Sequence, residues 1–132
     1  MLAWIGVIFS LSTDTFSSPG TSRILIPALQ FLFPFLTPDQ LEIGHAICRK
    51  AAHVLGYLVL GVLAWRAIGS APMSLALVLA VAVGDEFHQS FVASRTGTWT
   101  DVGYDLIGGM TGLLLMLRLR NETRDLHSRT VL

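Results

Sequence analysis

The sequence predicts an all-α fold set in a membrane: an integral bundle of four transmembrane helices, with a short amphipathic or re-entrant helical segment between the first and second. Three observations predict it. Of the 132 residues, 52% are hydrophobic and only 14% are charged, whereas an ordinary soluble chain carries about 25% charge. Mean hydropathy is +0.62. The apolar residues gather into stretches of near-spanning length, separated by turn signals such as "GSAP" at 69–72. A soluble helical core would be as apolar, but too few charges remain to solvate four such helices. The length suits a single domain, 1–132.

The first segment, residues 1–11, reads "MLAWIGVIFSL". A span needs ~20 residues to cross ~30 Å of hydrocarbon. Either Ser12, Thr13 and their neighbours lengthen it, or the true start lies upstream. It lacks the basic start and small-residue cleavage site of a secretory signal. Residues 21–40 are apolar but broken by Pro27, Pro34 and Pro38. Proline removes a backbone donor and clashes with the preceding turn, so two short helices in the interface are expected there. Thr37 and Pro38 then have the form of an N-cap followed by proline at the first helical position. Asp39 and Glu42 suit the positive end of that helix. The second span covers residues 51–68, the third 73 to about 92, and the fourth about 102–119. Gly69 and Pro72 turn the chain between the second and third, and Gly97 and Thr98 help form the next loop.

A net charge of zero excludes the basic footprint of a nucleic-acid binder. One cysteine, Cys48, excludes an internal disulfide and reads as a small packing residue. Arg118, Arg120, Arg124 and Arg129 gather at the C-terminal end. Positive charge favours the cytoplasm, which places both termini inside, with a cytoplasmic tail from about 119 to 132. Arg66 also falls inside, while Arg23, Arg49, Lys50 and Arg95 fall outside.

This path gathers charge at one membrane face, whichever way the protein points. Arg49, Lys50 and His53 open the second span. Asp85, Glu86, His88 and Gln89 close the third. Arg95 lies in the loop, and Asp101 and Asp105 open the fourth. Arg49, His53 and Tyr57 are spaced by four and share a helix face, as do Asp85 and Gln89, and Asp101, Asp105 and Gly108. Gly108 and Gly112 make a small-residue stripe on which another helix can lie closely. A charge near mid-bilayer costs ~2.5–3.5 kcal/mol, so these groups should face one another, with Arg49, Lys50 and Arg95 balancing Asp85, Glu86, Asp101 and Asp105.

"RKAAHVLGYLVLG", followed by "DEFHQSFVASRTGTWTDVGYDLIGGMTG", resembles the VanZ-like family of bacterial membrane proteins. The family's Arg-Lys-x-x-His-x-x-x-Tyr stretch maps to Arg49, Lys50, His53 and Tyr57. Its Asp-Glu-x-x-Gln block maps to Asp85, Glu86 and Gln89. The Arg that follows is Arg95, and the Asp before the glycine-spaced helix is Asp101. The resemblance covers residues from about 40 to 117. Asp105 departs from it, standing where the family often has Asn, and the first helix is shorter than usual. The resemblance implies a small four-helix protein of the bacterial cytoplasmic membrane. The family's namesake lowers susceptibility to the glycopeptide teicoplanin.

Two functional classes follow. In the first, the protein binds or modifies an anionic, lipid-linked envelope precursor at the outer membrane–water interface. Arg49, Lys50 and Arg95 hold phosphate, since Arg offers a bidentate fork and Lys a point charge. Gln89, Asp105 and Tyr57 complete the binding surface. Glu86 is the candidate base, with His53, Asp101 and Asp85 as the other proton-handling groups. The apolar run 24–36 lines a groove facing lipid. In the second class the same cluster only fixes the bundle, and the protein supports or regulates another envelope protein. Partners are membrane lipids, not nucleic acid; the sequence does not fix an oligomeric state. His53, His88, Asp85 and Asp101 could assemble around a metal, but no pair has diagnostic spacing, so neither metal nor cofactor is expected. His45 and His127 have no supporting context, Tyr57 and Tyr104 read first as packing or interface aromatics, and Trp99 as an anchor at headgroup level.

Overall fold

Thr37 caps the start of a long apolar helix. Its side chain accepts from the Gln40 N–H, and the Gln40 side chain answers from the backbone N–H of Thr37 at 2.9 Å, a reciprocal capping box. Pro38 follows at the first helical position, where its missing N–H costs nothing. From there α3, Pro38–Ile68, runs unbroken for 31 residues to Gly69. Gly69 has φ of 71°, a left-handed conformation that a residue with a Cβ adopts only at a cost. The structure, a computed structural model, describes residues 1–13, 17–92 and 98–130, with side chains as far as Thr123.

Five helices make up the described chain: α1 Leu2–Leu11, α2 Ser18–Leu32, α3, α4 Ala71–Gln89 and α5 Trp99–Thr130. There is no strand among the described residues. Three helices, α3, α4 and α5, are long and apolar enough to cross a membrane, and the protein is a multi-pass membrane protein. Their outward faces carry Leu55, Leu79, Phe87, Ile107 and Leu114, all exposed, as side chains against lipid should be. The helix α1 has ten residues, about 15 Å at ~1.5 Å per residue. That is half the hydrocarbon thickness, so it does not count as a fourth full span. Its extension through Ser12 and Thr13 does not occur: the helix ends at Leu11, with Ser12 as its C-cap.

Other expectations shift. The segment after α1 forms one 15-residue helix, α2, rather than two short ones, and Pro27 lies inside it. A single missing N–H on an exposed face is tolerable, because water or headgroups reach the freed carbonyl. Pro34 and Pro38 do mark helix boundaries: α2 ends two residues before the first, and α3 starts at the second. No residue of α2 is buried, and Ile24 and Phe31 are 75% and 85% exposed. The second span does not begin at residue 51 but is continuous with the capped helix from Pro38. At ~1.5 Å per residue, α3 is about 46 Å long and overruns the hydrocarbon. The last helix likewise continues past residue 119 to Thr130.

The helices α3 and α5 make the largest interface. They run parallel, because α4 returns the chain between them. Gly108 lies against the Val54 carbonyl and Gly112 against that of Leu58, so close that an added Cβ at either would overlap the oxygen. The small-residue stripe is therefore used as expected, and Gly61, which meets the Gly109 carbonyl in the same way, extends it from the other side. Tyr57, Leu60, Val78, Ala82 and Val102 form the core, with Ile8 of α1 packed onto it. This register brings residue 50 of α3 beside 101 of α5, and 53 beside 105.

Candidate functional site

Three helix segments meet at one cluster: the middle of α3 from Arg49 to Tyr57, the last turns of α4, and the first turns of α5. Their polar groups fall into two tiers.

The upper tier opens outward. Lys50 Nζ lies 2.5 Å from Asp101 Oδ1 and 4.5 Å from the centroid of the Tyr104 ring. The two ionic side chains are 44% and 24% exposed. A pair this open contributes about 0–1 kcal/mol, so it orients the groups more than it stabilises the fold. Arg49 is half-buried beside it and makes no side-chain hydrogen bond or ion pair among the described residues. Both basic residues line a cavity of about 640 Å³ that extends to Ser18 and Ser22 of α2, Glu42 and His45 of α3, and Thr98 and Thr100 at the start of α5.

The lower tier is closed. Asp85 is 1% exposed, Glu86 6%, Gln89 3% and Asp105 0%. His53 Nδ1 lies 3.0 Å from Asp105 Oδ1. The Gln89 side-chain amide donates to Asp85 Oδ2 at 3.1 Å and to Glu86 Oε1 at 3.2 Å. The Thr98 N–H donates to Glu86 Oε2 at 2.8 Å, and the Ser12 hydroxyl donates to Asp85 Oδ1. Burying a carboxylate costs several kcal/mol unless donors or opposite charge compensate it, which accounts for this density of donors. Tyr57 lies deepest, 1% exposed.

His53 joins the tiers. It bonds Asp105 below, lines the large cavity above, and also lines a second cavity of about 170 Å³. The second cavity is bounded by apolar Ile8, Leu11, Leu25 and Ala52, with Cys48, Tyr57 and Asp85 at its wall. A polar chamber and an apolar one thus share Arg49 and His53.

The pairing differs in detail from the sequence expectation. Lys50 pairs with Asp101, but Asp105 is met by the His53 imidazole, and Asp85 accepts from Ser12 and Gln89 among its contacts. Arg95, assigned to phosphate holding, lies outside the described residues. His88 leaves the cluster altogether: it is exposed and packs edge-on against Phe9, ring centroids 5.9 Å apart. Sequence reasoning missed Ser12, whose signal was a polar residue closing an apolar helix at the face where α4 ends. It also missed His45. That side chain is 6% exposed, and its Nε2 lies 2.9 Å from the Thr21 hydroxyl, tying α2 to α3. No sequence spacing links residues 21 and 45, so that contact was not readable. Trp99 is 81% exposed beside the cavity mouth, as a headgroup-level aromatic would be.

A family model described as VanZ/LLP1 matches residues 1–120. No curated protein matches the chain, and no solved structure does.

Proposed function

This chain belongs to the VanZ/LLP1 family, and we propose from that premise that it binds the phosphate-bearing headgroup of a lipid-linked envelope precursor. The headgroup sits in the 640 Å³ cavity at the end of the bundle. The observation that carries the reading is Arg49, a guanidinium that lines both cavities without an ion-pair partner among the described residues. A half-buried cation is costly to leave uncompensated, and a phosphate oxyanion satisfies its planar fork. Lys50 and the hydroxyls of Ser18, Ser22 and Thr100 add donors around the same space. The lipid chain leaves along the exposed apolar side chains of α2, Ile24, Phe31 and Leu32, with Phe35 beyond them. The protein sits in the bacterial cytoplasmic membrane with both termini inside and this cavity outside. There, holding a wall precursor changes how a glycopeptide such as teicoplanin meets it.

The test is binding of a long-chain lipid phosphate, against a zwitterionic lipid of equal chain length, to protein in nanodiscs. Wild type should prefer the phosphate. Arg49→Ala should weaken it about tenfold to a hundredfold, the equivalent of one charged hydrogen bond of ~1.5–3 kcal/mol. Cells carrying Arg49→Ala should lose any teicoplanin effect of the wild type. Equal binding of both lipids, or by both proteins, leaves the competing architectural reading. The interhelical contacts Ser12–Asp85, His53–Asp105 and Lys50–Asp101 support that alternative.

A further inference from the structure

The lower tier holds more negative charge than headgroup binding uses. Asp85, Glu86 and Asp105, with His53, each present one ligand-type atom, and these four atoms lie within 4.8 Å of one another. Opposed donors around one divalent cation stand about 4.2–5.2 Å apart, from bond lengths of ~2.1–2.6 Å. The four groups therefore converge on a space the size of a coordination sphere. They come from three helices, so the convergence is a product of the fold and not of local spacing.

Two further observations point to a ligand there. Among the described residues, Asp105 Oδ2 is fully buried with no hydrogen-bond partner. So is the hydroxyl of Tyr57, which belongs to none of the four groups. Tyr57 lines the same small cavity as His53 and Asp85, so an unpartnered polar side chain stands beside the four groups. Buried polar atoms without partners are rare in native proteins, and each calls for an explanation such as an ion or a water. Donors from Ser12, Gln89 and Thr98 surround Asp85 and Glu86. They resemble the outer contacts that hold metal-ligating carboxylates in place.

We propose that His53, Asp85, Glu86 and Asp105 bind one divalent cation, with Tyr57 held by a water on that ion. Three oxygen ligands and one imidazole, with no thiolate, suit Mn²⁺ better than a soft metal. This differs from the sequence expectation of no metal, and in its ligands from the set with His88 and Asp101. It does not depend on the headgroup reading, because its readout is the metal alone.

The experiment titrates Mn²⁺ into EDTA-stripped full-length protein in nanodiscs, following loss of the free-ion EPR signal, with Mg²⁺, Ca²⁺ and Zn²⁺ as competitors. The expected result is saturation at one Mn²⁺ per chain and a higher Tm. Asp105→Asn and Glu86→Gln, each checked for helical content and size, should weaken binding at least about tenfold. His88→Gln should bind as wild type does. No saturable binding by wild type at ~1 mM Mn²⁺, a generous limit for carboxylate sites, overturns the proposal even if a variant fails to fold. Undiminished binding by both folded carboxylate variants overturns it as well.

Discussion

Ser12 closes α1 at a depth where it is 3% exposed, and its hydroxyl donates to Asp85. The bond ties the first helix to the end of α4, 73 residues later in the chain. Removing it leaves a buried carboxylate oxygen with one donor fewer, which costs the desolvation of that oxygen and not merely the net worth of a hydrogen bond. Ser12→Ala should therefore lower stability by about 1–3 kcal/mol, read as a fall in Tm in detergent. By contrast, the exposed Ser10 hydroxyl bonds only to the Gly6 carbonyl of its own helix. Ser10→Ala should change Tm little, since an exposed intrahelical bond of this kind competes with solvent. Equal Tm values for the two variants would mean that Ser12 does not hold Asp85.

At the scale of elements, the α3–α5 interface decides whether a site exists. The two helices approach through glycines, and their register sets Lys50 beside Asp101 and His53 beside Asp105. Gly108 is the sharpest probe, because a side chain there must displace the Val54 backbone. Gly108→Leu should cost about 3 kcal/mol through overpacking and separate His53 from Asp105. Gly103, five residues before Gly108 on the same helix but open around its α-carbon, has nothing within 4 Å of an added Cβ. Gly103→Ala should hold or raise stability by about 0.5–1 kcal/mol, the helix-propensity gain. Thermal unfolding of both variants checks the contrast. If Gly108→Leu is as stable as Gly103→Ala, the helices are not packed through that face.

The whole molecule has one polar end and one basic end. The polar end carries the two-tier cluster; the other carries Arg66 and, on α5, Arg118 and Arg120, with Arg120 stacked 5.2 Å from the Trp65 ring. Basic residues concentrate on the cytoplasmic side of membrane proteins, which fixes the expected direction. In a Cys48→Ser background, Thr100→Cys should react with a membrane-impermeant thiol reagent in intact cells. Glu122→Cys should react only after permeabilisation. The reverse pattern would turn the cavity toward the cytoplasm and remove an external lipid headgroup as its occupant.

The membrane setting, the helical class, the capped start at Thr37 and the turn at Gly69 were all legible in the sequence, because each depends on local chemistry: apolar content, side-chain caps, backbone handedness. The meeting of Arg49, His53, Asp85, Glu86, Asp101 and Asp105 at one end followed too, since short connections force successive spans to alternate. What the sequence left undetermined is who touches whom. Lys50 and His53 take different aspartates because parallel helices on a glycine stripe have one register, and spacing along either helix alone does not contain it. The same holds for Ser12, His45 and the division into an open tier and a closed one. The single helix through Pro27 and the unbroken α3 are likewise settled by tertiary context, which outweighs local breaking signals when one lost hydrogen bond is small against the packing of a whole helix.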